Sequence, residues 1–277
     1  MTTPDLRPRW WQWPTVLSFD APAVMLVWQA AVAGAADVPL DWAHRVVLAA
    51  SVWIAYTIDR WVEASRLPAS IVRTPRHAVH QRWRWPIALT TSGVFVADVA
   101  IAVLNLPVHD LAAGSILAVA AACYVLSHQW LHRNARWRVP KEVVIAALLS
   151  GGVWLFVREG TAAVVLAASG LLSLLVLTNI SLISSWEVDI DRTHGQSSLA
   201  LESSKAGRVI PWMPWTAAVV SVAVAAIGPA AAQPVAVCSI ASALLMALTD
   251  RIQPYIGWPA ARVASDLALL TPLALLV

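Results

Sequence analysis

The chain has 277 residues, of which 59% are hydrophobic and 13% charged, with a net charge of +3. An average soluble domain carries about 25% charged residues, so this composition excludes a soluble globular fold, which could not hide so much apolar surface. The basic residues sit in short loops between apolar runs and need no nucleic acid to explain them.

A membrane span takes roughly 20 apolar residues. In chain order, apolar runs fall at about 15–35, 44–58, 86–106, 109–131, 142–158, 161–186, 212–230, 233–249 and 254–277. They predict an all-α polytopic bundle of about nine transmembrane helices, one membrane domain over 1–277. Short hinges at Pro107, Gly160 and Pro229 make neighbouring spans antiparallel. The runs are rich in Leu, Ala and Val without the alternation of a transmembrane barrel strand. At the amino end, Arg7 and Arg9, an apolar stretch and Ala33-Gly34-Ala35 imitate a secretory signal. The stretch is long and Asp20 interrupts it, so we expect a retained first helix.

With the amino terminus in the cytoplasm, all of the 19 Lys and Arg except Arg45, Arg158 and Arg262 fall on the cytoplasmic side. That bias satisfies the positive-inside rule. An odd number of spans then puts the carboxyl terminus outside an inner or plasma membrane. The basic loops suit an anionic leaflet or an anionic substrate held at that face. Most of the 16 Trp lie near the cytoplasmic ends of spans, as an aromatic belt requires. Cys123 and Cys238 fall inside apolar runs and predict no disulfide.

Most carboxylates, Asp110 and Glu142 among them, lie at span ends or in loops. Two groups differ. The second run continues into Asp59-Arg60-Trp61-Val62-Glu63, and the sixth into Glu187-Val188-Asp189-Ile190-Asp191-Arg192. Residues four apart share a helix face, and like charges there repel. A bound cation removes that repulsion. Hard carboxylate oxygens suit magnesium, which typically completes its shell with water and substrate phosphates. Two acid pairs at one membrane face could therefore clamp a diphosphate. Arg66, Arg73 and Arg76 follow the first pair, and the loop before the fifth span supplies Lys141; these cations would neutralise a departing diphosphate.

Polar residues inside spans are functional candidates by default. Asp20 could line a cavity. Asn179 is eight residues before Glu187, on roughly the same stripe. Arg262 and Asp266, four apart, read as an internal ion pair, and Asp98 has no partner legible in the sequence. His77-x-x-His80 and His128-x-x-x-His132 resemble the clusters of membrane di-iron enzymes, whose imidazoles suit iron. Seven His in the whole chain are too few for that chemistry, and His77 and His80 read as part of a basic loop with Arg76.

The two acidic segments resemble the UbiA superfamily of intramembrane prenyltransferases. Its first motif has the form Asn-Asp-x-x-Asp-x-x-x-Asp at the end of the second helix, and its second the form Asp-x-x-x-Asp at the end of the sixth. Here the second reads Glu187-x-x-x-Asp191-Arg192-x-x-Gly195-x-x-Ser198-Leu199 and the first Asp59-Arg60-x-x-Glu63. The segment from Tyr124 to Lys141 is also similar. The sequence departs where the leading Asn falls on Ala55 and the next Asp on Tyr56, and where Glu stands at 63 and 187. The resemblance implies magnesium held by Asp59, Glu63, Glu187 and Asp191, with Asp189 a further candidate ligand. It implies Arg66, Arg73, Arg76, Lys141 and Arg192 on the diphosphate, and Asp20, Tyr124 and Asn179 as cavity candidates. The activity implied is transfer of a prenyl group from a polyprenyl diphosphate to an aromatic or lipid-like acceptor in the bilayer. The degenerate first motif keeps open a member that binds lipid diphosphates without turnover.

Overall fold

The computed structural model describes residues 6–127 and 140–276. His128, His132 and most of the segment between Tyr124 and Lys141 lie outside them. Every regular element among the described residues is helical.

Helix α1 (Trp13–Val16) stops at Ser18, whose φ of 62° breaks the chain, and α2 (Asp20–Ala36) departs at 73° to it. Next come α3 (Trp42–Arg66), α4 (Pro75–Arg82), α5 (Arg84–Asn105) and α6 (Val108–Leu126). Then follow α7 (Lys141–Val157), α8 (Ala162–Trp186), the short α9 (Val188–His194), α10 (Leu199–Glu202) and α11 (Ala206–Val209). The chain finishes with α12 (Met213–Ile227), α13 (Gln233–Ile256) and α14 (Trp258–Ala268). Pro107 and Pro140 immediately precede α6 and α7, where a missing N–H and a fixed φ cost nothing.

Among the described residues, five helices are long and apolar enough to cross a membrane: Arg84–Asn105, Val108–Leu126, Ala162–Trp186, Ala206–Ile227 and Ala230–Ile256. The bent pair of α1 and α2 makes a sixth if it is one span. The count of nine therefore rests on the sequence. The remaining helices fall short for a physical reason. The α3 helix carries Asp59, Arg60, Glu63 and Arg66 at one end, α7 has 17 residues, and α14 has 11 and carries Arg262 and Asp266. Apart from Arg66, the charges named on these helices line the cavity described below.

The α8 helix is the hub, packing against α7, α2, α12, α13 and α14, with Leu171, Leu172, Leu175 and Leu182 fully buried. Trp28 of α2 is 0% exposed and its Nε1 donates to the Leu269 carbonyl at 2.7 Å, meeting an acceptor left free at the end of α14. Trp186 Nε1 donates to Asp250 Oδ1 at 2.9 Å and ties α8 to α13. The α5 and α6 helices lie at the periphery, with Leu89, Phe95, Leu104 and Ile116 exposed. In a bilayer such a face costs nothing, because lipid tails are as apolar as the side chains. Asp98 of α5 does have a partner: it accepts from Ser51 Oγ of α3 at 2.8 Å.

At the end of the bundle away from the cavity, buried Asp110 accepts from Arg158 at 2.7 Å and lies 3.3 Å from His44 Nε2. An acid read as an ordinary span-end residue thus clasps α3, α6 and α7. Gly257 turns the chain between α13 and α14 with φ 78° and ψ 156°, a region essentially closed to residues with a Cβ. Gly257→Ala is expected to lower stability by about 1–3 kcal/mol, read as a lower unfolding midpoint in detergent; an unchanged midpoint would contradict the assignment of strain to that turn.

Candidate active site

The ends of α3 and α8 converge on one cavity. It is lined from α3 by Tyr56, Asp59, Arg60 and Glu63, and from the α8–α9 junction by Ser184, Glu187 and Asp191. Arg76 of α4, Lys141 of α7 and Gln196 complete its charged end. Asp20, Asn179, Arg262 and Asp266 line it further along, with Val24, Met25, Ile145, Leu149, Val176 and Ile180 as apolar wall.

Local chemistry explains the second motif. The chain leaves α8 at Glu187, whose carbonyl accepts from the N–H of both Ile190 and Asp191 at 2.9 Å. The break therefore keeps Glu187 and Asp191 one helical turn apart. Gly195, at φ 67°, ends α9 in the left-handed region, where glycine is cheapest, and Gln196 N donates back to the Asp191 carbonyl at 2.8 Å. Glu142, fully buried, accepts from Leu199 N at 2.9 Å and pins the following loop to α7.

The loop after α3 is folded back over the cavity. Thr74 caps α4 by accepting from His77 N, and Pro75 occupies its first position, a standard start. His77 Nε2 donates to Glu63 Oε2 at 3.3 Å, and its ring stands edge-on to His194 with centroids 4.9 Å apart. His194 Nε2 accepts from Arg73 N at 3.2 Å. Burial pushes His77 and His80 down to about 4, so both are neutral near pH 7. They are buried struts rather than members of a basic loop, because no water reaches them to stabilise a charge.

The carboxylates differ in what meets them. Burial works to raise Glu187, but the guanidiniums of Arg262 and Arg76 outweigh it and hold the group at about 2. Arg76 Nη2 donates to Oε2 at 2.8 Å, and Arg262 Nη1 donates to Oε1 at 2.8 Å. Burial dominates at Asp191 and lifts it to about 6, against the pull of Lys141. Arg60 donates to the Thr15 carbonyl and lies over the Tyr56 ring, 5.7 Å from its centroid.

Of the residues singled out in the sequence, Asp59, Glu63, Glu187, Asp191, Arg76, Lys141, Asp20 and Asn179 line the one cavity. Arg66, Arg73, Arg192, Asp189 and Tyr124 do not. Asp189 and Arg192 are exposed and pair with each other at 2.9 Å, since on α9 they point away from the face that Glu187 and Asp191 share. Arg262 turns to Glu187 instead of Asp266, which accepts from Asn179 at 3.3 Å. Sequence reasoning missed Tyr56, Arg60 and Gln196 as lining residues and Arg262 as a partner of the second motif. The spacing of Arg262 and Asp266 flagged the helix, but nothing local named the partner across the bundle.

The donor chemistry fits a hard divalent cation at Asp59, Glu63 and Asp191. Among the described residues no three acidic or His side chains lie close enough to hold an ion alone. An ion there would complete its shell with phosphate oxygens and water, which is how magnesium is typically bound. Glu187 fits less well, because both its oxygens already accept charged hydrogen bonds.

No family model and no curated protein matches the sequence. In structure, the chain is similar to the apo structure of a UbiA homolog from Aeropyrum pernix K1. The TM-score is 0.57 at 16% identity, covering 94% of this chain and 98% of that one. Apolar helices of spanning length around a charged cavity define a polytopic helical membrane protein. Its fold is UbiA-like.

Proposed function

We propose that the protein is a magnesium-dependent prenyltransferase, moving a prenyl group from a polyprenyl diphosphate to an aromatic or lipid-like acceptor inside the membrane. The observation that carries this reading is the meeting of Asp59 and Glu63 with Glu187 and Asp191 in one cavity that also receives Arg76, Lys141 and Arg262. Acids alone suit a cation; acids interleaved with cations suit a metal-bound polyanion. The amino terminus is read as cytoplasmic, which puts this charged end at the face where water-soluble pyrophosphate could leave.

Asp59, Glu63 and Asp191 would hold magnesium, which supplies Lewis acidity toward the diphosphate oxygens. Lys141 and the two arginines stabilise negative charge as it gathers on the leaving group. The wall of Val24, Met25, Ile145, Leu149, Val176 and Ile180 takes the prenyl chain and keeps water from the allylic centre. Asp20, Tyr56, Asn179 and Asp266 face the same space and can accept from or donate to an acceptor hydroxyl.

The test is pyrophosphate release from labelled farnesyl or geranylgeranyl diphosphate by purified protein in detergent. Release is expected with magnesium, to vanish on chelation and to return on adding the metal back. Magnesium-dependent binding of the donor with no release, even with quinone-precursor phenols and lipid alcohols as acceptors, would favour the binding protein over the enzyme.

A further inference from the structure

Glu187 occupies the first acidic position of the second motif, yet its surroundings are those of an ion-pair hub. Its side chain is 4% exposed. Arg76 donates to both its oxygens, Nη2 to Oε2 at 2.8 Å and Nη1 to Oε1 at 3.4 Å, and Arg262 Nη1 donates to the same Oε1 at 2.8 Å. A carboxylate fixed by two guanidiniums would have to lose those bonds to bind a metal. Both guanidiniums line the cavity, and that of Arg262 is not saturated: its Nε is buried with no hydrogen-bond partner, an N–H donor left for something that accepts.

We propose that Arg76 and Arg262, braced from behind by Glu187, form a clamp for the diphosphate, and that Glu187 is a positioning residue and not a metal ligand. This rests on the prenyl diphosphate reading for its biological ligand, although the clamp itself needs only a pyrophosphate group. The planar fork of Arg matches phosphate oxygens in pairs, which a Lys ammonium cannot do. Arg76 comes from α4 and Arg262 from α14, so the clamp draws on two separate helices that line the same cavity. It supplies fixed positive charge where a second ion would otherwise sit between Glu187 and phosphate.

The experiment is titration of the full chain in detergent with inorganic pyrophosphate, once with chelator and once with magnesium. With chelator the parent protein binds pyrophosphate, and Arg262→Lys, which keeps the charge but loses the fork, weakens that binding by at least about tenfold; Arg262→Ala weakens it at least as much. The gain in affinity that magnesium brings stays within about twofold of the parent in Glu187→Gln and falls by about tenfold or more in Asp191→Asn. Parental affinity in Arg262→Lys, absence of pyrophosphate binding by the parent in chelator, or a magnesium gain lost in Glu187→Gln as in Asp191→Asn would each overturn the clamp. If the parent binds pyrophosphate in this pattern but releases none from a prenyl diphosphate, the enzyme reading fails and the clamp stands.

Discussion

Asp191→Ala and Asp59→Ala are each expected to reduce pyrophosphate release by at least about a hundredfold, with the fold intact. The two acids come from different helices and line one cavity, so each removes a wall of the same site. Loss of one preorganised group acting on developing charge costs about a hundred- to a thousandfold. Neither acid sits in the apolar core, and Asp191 is held by backbone bonds from Asp191 N to Glu187 O and from Gln196 N to Asp191 O that survive truncation of its side chain. The check is a release assay beside a thermal unfolding curve for each variant. Activity within about tenfold of the parent in either one would remove that residue from the chemistry.

Glu187→Ala should act in the opposite way, on stability first. Removing one partner of a buried ion pair costs about 3–5 kcal/mol, because the remaining charge stays buried without compensation. Here two guanidiniums, Arg76 and Arg262, lose the same acceptor. The unfolding midpoint in detergent is expected to fall well below that of Asp59→Ala, and Glu187→Gln, which keeps an acceptor oxygen, to fall less. Equal midpoints for Glu187→Ala and the parent would mean that the bridge contributes nothing to holding α4, α8 and α14 together.

The membrane class and the two motif ends were legible because both depend on local pattern. Apolar runs of spanning length and acids four apart are properties of contiguous residues. What the sequence concealed depends on tertiary placement. His77 looked basic beside Arg76, but it is 0% exposed against Glu63 and His194. Arg262 looked like the partner of Asp266, since a helix presents i and i+4 together, but a buried Glu187 on another helix draws it away. Glu142 looked like an ordinary span-end acid and instead holds the loop after the second motif. Asp189 and Arg192 sit within the motif by sequence and outside the cavity by geometry, because residues at 100° per step cannot all face one way.

In the proposed mechanism the ends of α3 and α8 share one metal–phosphate site. Anomalous diffraction from crystals soaked with manganese and inorganic pyrophosphate tests it most directly. The expected result is a manganese peak between Asp59 or Glu63 and Asp191, with the phosphates reaching toward Arg76 and Arg262. Ordered pyrophosphate outside this cavity, or manganese bound elsewhere with Asp59 and Asp191 untouched, would rule out a shared site.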